Sequence, residues 1–118
     1  MIKYDGYYLA VPTPYTDYVA GSNKRTGFIH WAYFFNANGI VKRKRKESKN
    51  GKVAFKKEDF ESAISGEFIL NGDFVNIIFD KGQKWELKKS FRVKEIQLIC
   101  VESNSAAGID EIYQFHNW

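Results

Sequence analysis

Two histidines and one cysteine are the only imidazole and thiol donors in this 118-residue chain. His30 and His116 have no His or Cys at ligand spacing, so no metal motif forms around either. Cys100 stands alone in the apolar run EIQLICVE, where a free thiol serves as a small core hydrophobe, and a single Cys excludes an internal disulfide. Nucleophilic catalysis needs a nucleophile, a base and an orienting group within reach, and no elbow motif supplies them. A Cys100–histidine dyad is the one pairing that only the fold can decide. Asp110 and Glu111 are adjacent and so project to opposite faces of a strand. The nine glycines sit singly at turns, without a phosphate-cradling loop. These residues call for no metal and no cofactor, and the chain reads as a non-enzyme.

Binding chemistry has two other sources. Between residues 42 and 57 nine basic residues face one acid, Glu47, giving +8 there and −4 for the remainder. Lys42, Arg43, Lys44, Arg45, Lys46 and Lys49 form the dense part of a basic hairpin suited to an acidic protein partner, since charge of one sign steers encounter with a complementary surface. Phosphate contact is the other use of such a run, but no aromatic is interleaved with it before Phe55, as base stacking requires. Nucleic acid is the least favoured partner. The second source is aromatic content of 17%. Tyr7, Trp31, Tyr33, Phe68, Trp85 and Tyr113 are the rings expected to line a ligand site, because Tyr and Trp carry polar tips that need partners when buried.

The elements that position these residues read as strands. In residues 65–90 (SGEFILNGDFVNIIFDKGQKWELKKS), Asn71-Gly72 between two apolar runs predicts a type I′ hairpin. Phe68 and Leu70 share a face there, as do Val75, Ile77 and Phe79. Lys84 to Lys88 alternates cleanly, with Trp85 and Leu87 one way and the charges the other. Residues 5–11 form the first strand, ended by Pro12 and Pro14, and residues 12–25 a long polar connection. Residues 28–35 are apolar on both faces, which predicts a central strand or one covered on its outer side. The basic run that follows Ile40-Val41 has no apolar face and should leave the sheet body or form an edge. Residues 56–65 (KKEDFESAIS) carry the one helical signal, with Phe60, Ala63 and Ile64 at i, i+3, i+4. Strands over 95–102 and 109–116 complete eight, in one domain spanning 1–118. The chain has no apolar run long enough for a membrane helix. A cytoplasmic location follows if Met1 is the native start, and export if a signal peptide has been removed.

Four stretches carry a family likeness: Asp5-Gly6-Tyr7-Tyr8, where lipocalins place Gly-x-Trp; the hairpin FFNANGIV over 34–41; SGEFILNGD over 65–73; and the closing Tyr113-Gln114-Phe115. The chain resembles the small bacterial lipocalin-like (calycin-type) β-barrel domains. Tyr8 stands where the signature has Trp, and no late Arg caps it. The resemblance implies an all-β, antiparallel up-and-down meander of about eight strands forming a small barrel around an apolar pocket, with one short helix added. The expected function is a binding module for a small apolar or amphipathic ligand. The alternative is an interaction, inhibitor or immunity-type module that uses the basic hairpin over 42–57. A carrier should have a cavity open between the 12–25 connection and the barrel mouth, and an interaction module a filled barrel with an exposed basic edge.

Overall fold

Apolar–polar alternation is realised as an antiparallel sheet curled on itself. In a computed structural model, which describes residues 1–19, 23–105 and 111–118, the strands are β1 (Gly6–Ala10), β2 (Thr13–Val19), β3 (Asn23–Phe35), β4 (Ile40–Ser48), β5 (Ile64–Asn71), β6 (Phe74–Phe79), β7 (Leu87–Lys94), β8 (Gln97–Ser103) and β9 (Ile112–Asn117). Among the described residues they form one sheet in the order β1-β9-β8-β7-β6-β5-β4-β3-β2, and β1 also pairs with β3. That last pairing, Tyr8 opposite Tyr33 and Leu9 opposite Ala32, closes a ring. Eight strands, β1 and β3 to β9, therefore make an all-antiparallel meander barrel, with β2 outside it. Closure removes the free edges that an open sheet would expose.

The expected polar connection over 12–25 is instead largely strand. β2 pairs with the first half of β3, Pro14 opposite Phe28. As an edge strand it tolerates Pro14, whose missing N–H would be fatal to a ladder only in a central strand. This hairpin stands clear of the barrel as an arm, and the molecule measures 52 × 34 × 27 Å along its principal axes. Gly27 lets the arm close: a Cβ there would lie 2.8 Å from the Tyr15 hydroxyl and 2.8 Å from the Ser48 carbonyl. Tyr15 thus lies across β3 and donates its hydroxyl hydrogen bond to Glu47 of β4, which also raises the Tyr15 pKa.

Three local expectations move by a residue or a turn. Asn71 pairs with Phe74, so the two turn residues are Gly72 and Asp73. Only Gly72 has positive φ (59°), which fits a type II′ turn rather than type I′. The Trp85 strand begins only at Leu87. Residues 80–86 turn instead, with the Glu86 carboxylate accepting from the Gly82 N–H at 2.7 Å and Trp85 left 67% exposed. The helical signal becomes one 3-10 turn, Lys57–Phe60, and Ile64 already begins β5. The bonds in this stretch span three residues, Glu61 N–H to the Glu58 carbonyl and Ala63 N–H to the Phe60 carbonyl, and Ile64 is held in the β4–β5 ladder opposite Arg43, so the turn does not extend into a helix.

The barrel interior is packed with side chains. Tyr8, Phe35, Phe91, Leu98 and Cys100 have no solvent exposure, and Tyr33, Ile77, Phe79 and Tyr113 almost none. Their rings interlock at spacings such as 4.8 Å for Tyr33–Tyr113 and 5.0 Å for Phe35–Phe68, as the narrow bore of an eight-stranded barrel demands. At the end carrying the 36–39 and 72–73 turns, buried Ile2 adds to this core and the Lys3 N–H donates to the Tyr8 hydroxyl at 3.0 Å.

The expectation that 28–35 is covered on its outer side is met by residues 49–63. Ala32 and Phe34 of β3, with Tyr7 and Leu9 of β1, form a second cluster under Val53, Phe55, Phe60 and Ala63 of this strap. Trp118 closes it, 5.4 Å from Phe34 and 5.9 Å from Phe60. Burying each Phe contributes about 2 kcal/mol, which is what keeps so polar a segment on the barrel wall.

Candidate functional site

Strand alternation divides the basic run between two faces. β4 stays paired to β3 as far as Ser48, but β5 pairs only with Ile40 to Arg43, so the basic run from Lys44 onward forms an edge of the ladder, as its lack of an apolar face predicts. Lys42, Lys44 and Lys46 point outward, and Lys42 and Lys46 fasten the strap. The Lys46 ammonium lies 2.6 Å from the Asp59 carboxylate, donates to the Ala54 carbonyl at 3.1 Å and sits 5.0 Å from the Phe55 ring centre. Lys42 donates to the Glu61 carbonyl at 3.4 Å. Lys46, the Lys56 N–H and then Lys44 hold the Asp59 pKa below its ordinary value. Part of the charge read as a partner surface therefore closes the fold, and Arg45, Lys49, Lys52, Lys56 and Lys57 are exposed.

Arg43 and Arg45 share the inward face with Val41, and Arg43 lies opposite Tyr33. They stand at the barrel end from which the arm rises. The Arg43 guanidinium covers the Trp31 ring at 3.8 Å, while its buried Nε has no hydrogen-bond partner. Beside it the Tyr33 hydroxyl is buried without a partner. Across the bore, Lys89 of β7 is 8% exposed at its side chain and reaches the Glu111 carboxylate at 3.3 Å. Burial pushes the Tyr33 pKa up to about 12 and raises that of Tyr113, on which Tyr33 and Glu111 also act. Both phenols are neutral donors at physiological pH. The mouth is an electropositive end of a filled barrel, half-buried at Arg43 and Trp31 and exposed at Arg45.

The second feature lies outside the ring. The outward faces of β5 to β8 form a cleft of about 440 Å³. One cross-strand row runs Ile69, Asn76, Ser90, Glu102, and a second Glu67, Ile78, Lys88. Ser90 donates to Asn76 Oδ1 at 2.5 Å, fixing the middle of the floor. Ile69, 71% exposed, and Ile78 make it apolar. A register shift at Ser90–Phe91 bends β7 against β8 at this place. Asn104 ties one end shut, accepting from the Lys88 N–H at 3.0 Å and donating to the Glu86 carbonyl at 2.8 Å. Lys81 and Lys88 lie at that end.

The six rings expected to line one site are dispersed. Tyr33, Phe68 and Tyr113 are core, and Trp31 flanks it at the mouth. Tyr7 lies outside the ring beneath the strap, stacked 5.5 Å from His116, and Trp85 is on a turn. The pairing of Glu111 with Lys89 is not apparent from the sequence, although Lys89 lies in phase with Leu87 and Phe91. Cys100 faces the interior, whereas His30 faces the strap side and holds Ser48 Oγ at 2.6 Å, so no thiol–imidazole dyad forms. Burial lowers the His30 pKa. Asp110 lies outside the described residues. Among the described residues no three His, Cys, Asp or Glu side chains gather as metal ligands would. Neither a protein-family model, nor a curated protein, nor a solved structure matches this chain.

Proposed function

We propose that the protein is a non-enzymatic, lipocalin-like binding module whose small amphipathic ligand sits in the outer cleft over β5–β8 rather than inside the barrel. The observation that carries this reading is the pairing of a filled bore with a cleft of about 440 Å³ floored by Ile69 and Ile78. Ligand sites fall in this size range, apolar with a few placed polar groups. Lys81 and Lys88 at one end and Glu67 and Glu102 on the walls suit a ligand with an apolar body and a polar head. Native mass spectrometry of protein gently purified from its host should show an added mass of a few hundred daltons. Amide shift mapping with medium-chain amphipaths should then place the saturable changes on Ile69, Asn76, Ile78 and Ser90. Ile69→Glu should weaken binding at least tenfold. Saturable shifts confined to bore residues such as Phe68 and Leu98 would sink the outer-cleft reading.

A second reading is docking of an acidic protein on the basic hairpin. Exposed Arg45, Lys49 and Lys52, which the strap does not consume, favour it. A stoichiometric protein adduct lost on charge reversal at Lys49 and Lys52, and retained in Ile69→Glu, would select this reading over the first.

A further inference from the structure

We infer that the arm-side mouth of the barrel is a second, separate binding site, for a small oxyanion such as a carboxylate or a phosphate monoester head. Donors outnumber acceptors at this end of the barrel. Arg43 Nε and the Tyr33 hydroxyl are buried without partners. A buried donor left unmade loses its bond to water and gains nothing in return, so native folds rarely keep one without a use. Two such donors meet here, one of them on a guanidinium, and the neighbouring Lys89 ammonium has the Glu111 carboxylate at 3.3 Å as its counter-charge. Arg45, paired with Glu47 at 3.5 Å, stands at the rim on the same face. Trp31 packs against the Arg43 guanidinium at 3.8 Å, which holds it in place at the mouth. An oxyanion is the complement to this set: it accepts from a cation and a phenol at once, through short charge-assisted bonds. A neutral ligand would leave the charge of Arg43 uncompensated, and a cation would be repelled.

Arg43, Tyr33 and Trp31 do not line the outer cleft, and Lys89 borders both places, so variants at Arg43 and at Ile69 test the two sites separately. Benzoate and inorganic phosphate are the probes, with the Trp31 indole and Arg43 Nε–H resonances as readout. Saturable shifts with benzoate but not phosphate assign a carboxylate ligand, and the reverse a phosphate. Arg43→Gln should weaken the effective probe roughly tenfold, as loss of a charge-assisted bond implies, and Tyr33→Phe by a smaller factor. Both should leave amphipath binding at Ile69 unchanged. If Arg43→Gln does not fold, thermal midpoints of the unaltered protein decide: the effective probe raises Tm, and chloride at matched ionic strength does not. Equal effects of probe and chloride, or no saturable shift of Trp31 and Arg43, overturn the inference.

Discussion

His30 shows how one buried side chain ties stability to pH. It has no solvent exposure, its Nε2 is engaged with Ser48 Oγ at 2.6 Å, and its Nδ1 has no partner. Protonation would place a charge in a dry site whose cross-strand neighbour is Lys46. Its folded pKa is accordingly lowered by burial from the ordinary 6.5. The unfolded chain then binds more protons in the window below pH 6.5, so stability is complete above that value and is lost as pH falls through it. Urea midpoints should drop between pH 7.5 and pH 5, and His30→Gln should flatten the dependence. An unchanged slope in that variant would place the acid sensitivity elsewhere. Lys89 offers a second residue-scale test. Glu111→Gln leaves an ammonium in the bore without its counter-charge and should cost about 2 kcal/mol, at the low end for a broken buried pair because Glu111 is about one-third exposed. Replacing both, Lys89→Met with Glu111→Leu, should recover most of that loss, and a double-mutant cycle measures the coupling.

At the scale of elements, the strap over 49–63 and the strand β4 beneath it are one device. Lys46 serves the ladder through its backbone and the strap through its ammonium, so a run of like charges becomes a row of fasteners on one face and a charged mouth on the other. The apolar members of the strap carry most of its stability. Phe60→Ala should destabilise the fold by about 3 kcal/mol, since Phe60 is 1% exposed and the site can collapse only partly. It should also raise dye binding by uncovering Phe34 and Tyr7. Lys46→Met, which keeps the stem and removes a half-wet ion pair, one hydrogen bond to the Ala54 carbonyl and the charge over Phe55, should cost less. Equal losses in the two variants would mean that the charges rather than the rings hold the strap. This arrangement was partly legible in advance. A strand apolar on both faces announces a cover, and Phe60 with Ala63 announces the apolar side of that cover. The role of the basic run was hidden because composition alone shows charge and no partner; the period of two places Arg43 with Val41, but only closure of the ring makes that side an interior. Asn71-Gly72 misled by one residue because the ladder, with Asn71 opposite Phe74, decided which pair could turn. Trp85 alternated correctly with Leu87, yet alternation does not require pairing, and the Glu86–Gly82 bond held that stretch in a turn.

For the whole molecule, the separation of arm from ring has a consequence for cooperativity. The ring is closed by β1 between β9 and β3, and its interior and its strap each supply buried apolar surface to several strands at once. Among the described residues, neither buried apolar cluster includes a residue of β2. β2 is held by its ladder with β3, by the exposed Arg25–Asp17 ion pair at 2.9 Å, and by Tyr15, whose ring crosses Gly27 and whose hydroxyl reaches Glu47. A segment with exposed backbone bonds and few apolar contacts opens well below the global unfolding free energy. The ring, which shares one packed core, must open as a unit. Hydrogen exchange should therefore divide β3 in the middle: amides from His30 to Phe35 exchange with the slow barrel set, and those near Arg25 and Thr26 with a faster arm set. Tyr15→Ala should accelerate the arm set by about tenfold or more, equivalent to roughly 1–2 kcal/mol of local opening, while moving the global urea midpoint little. If that variant instead lowers barrel and arm protection together, the arm is part of the cooperative core, and the mouth beneath it opens only when the whole protein unfolds.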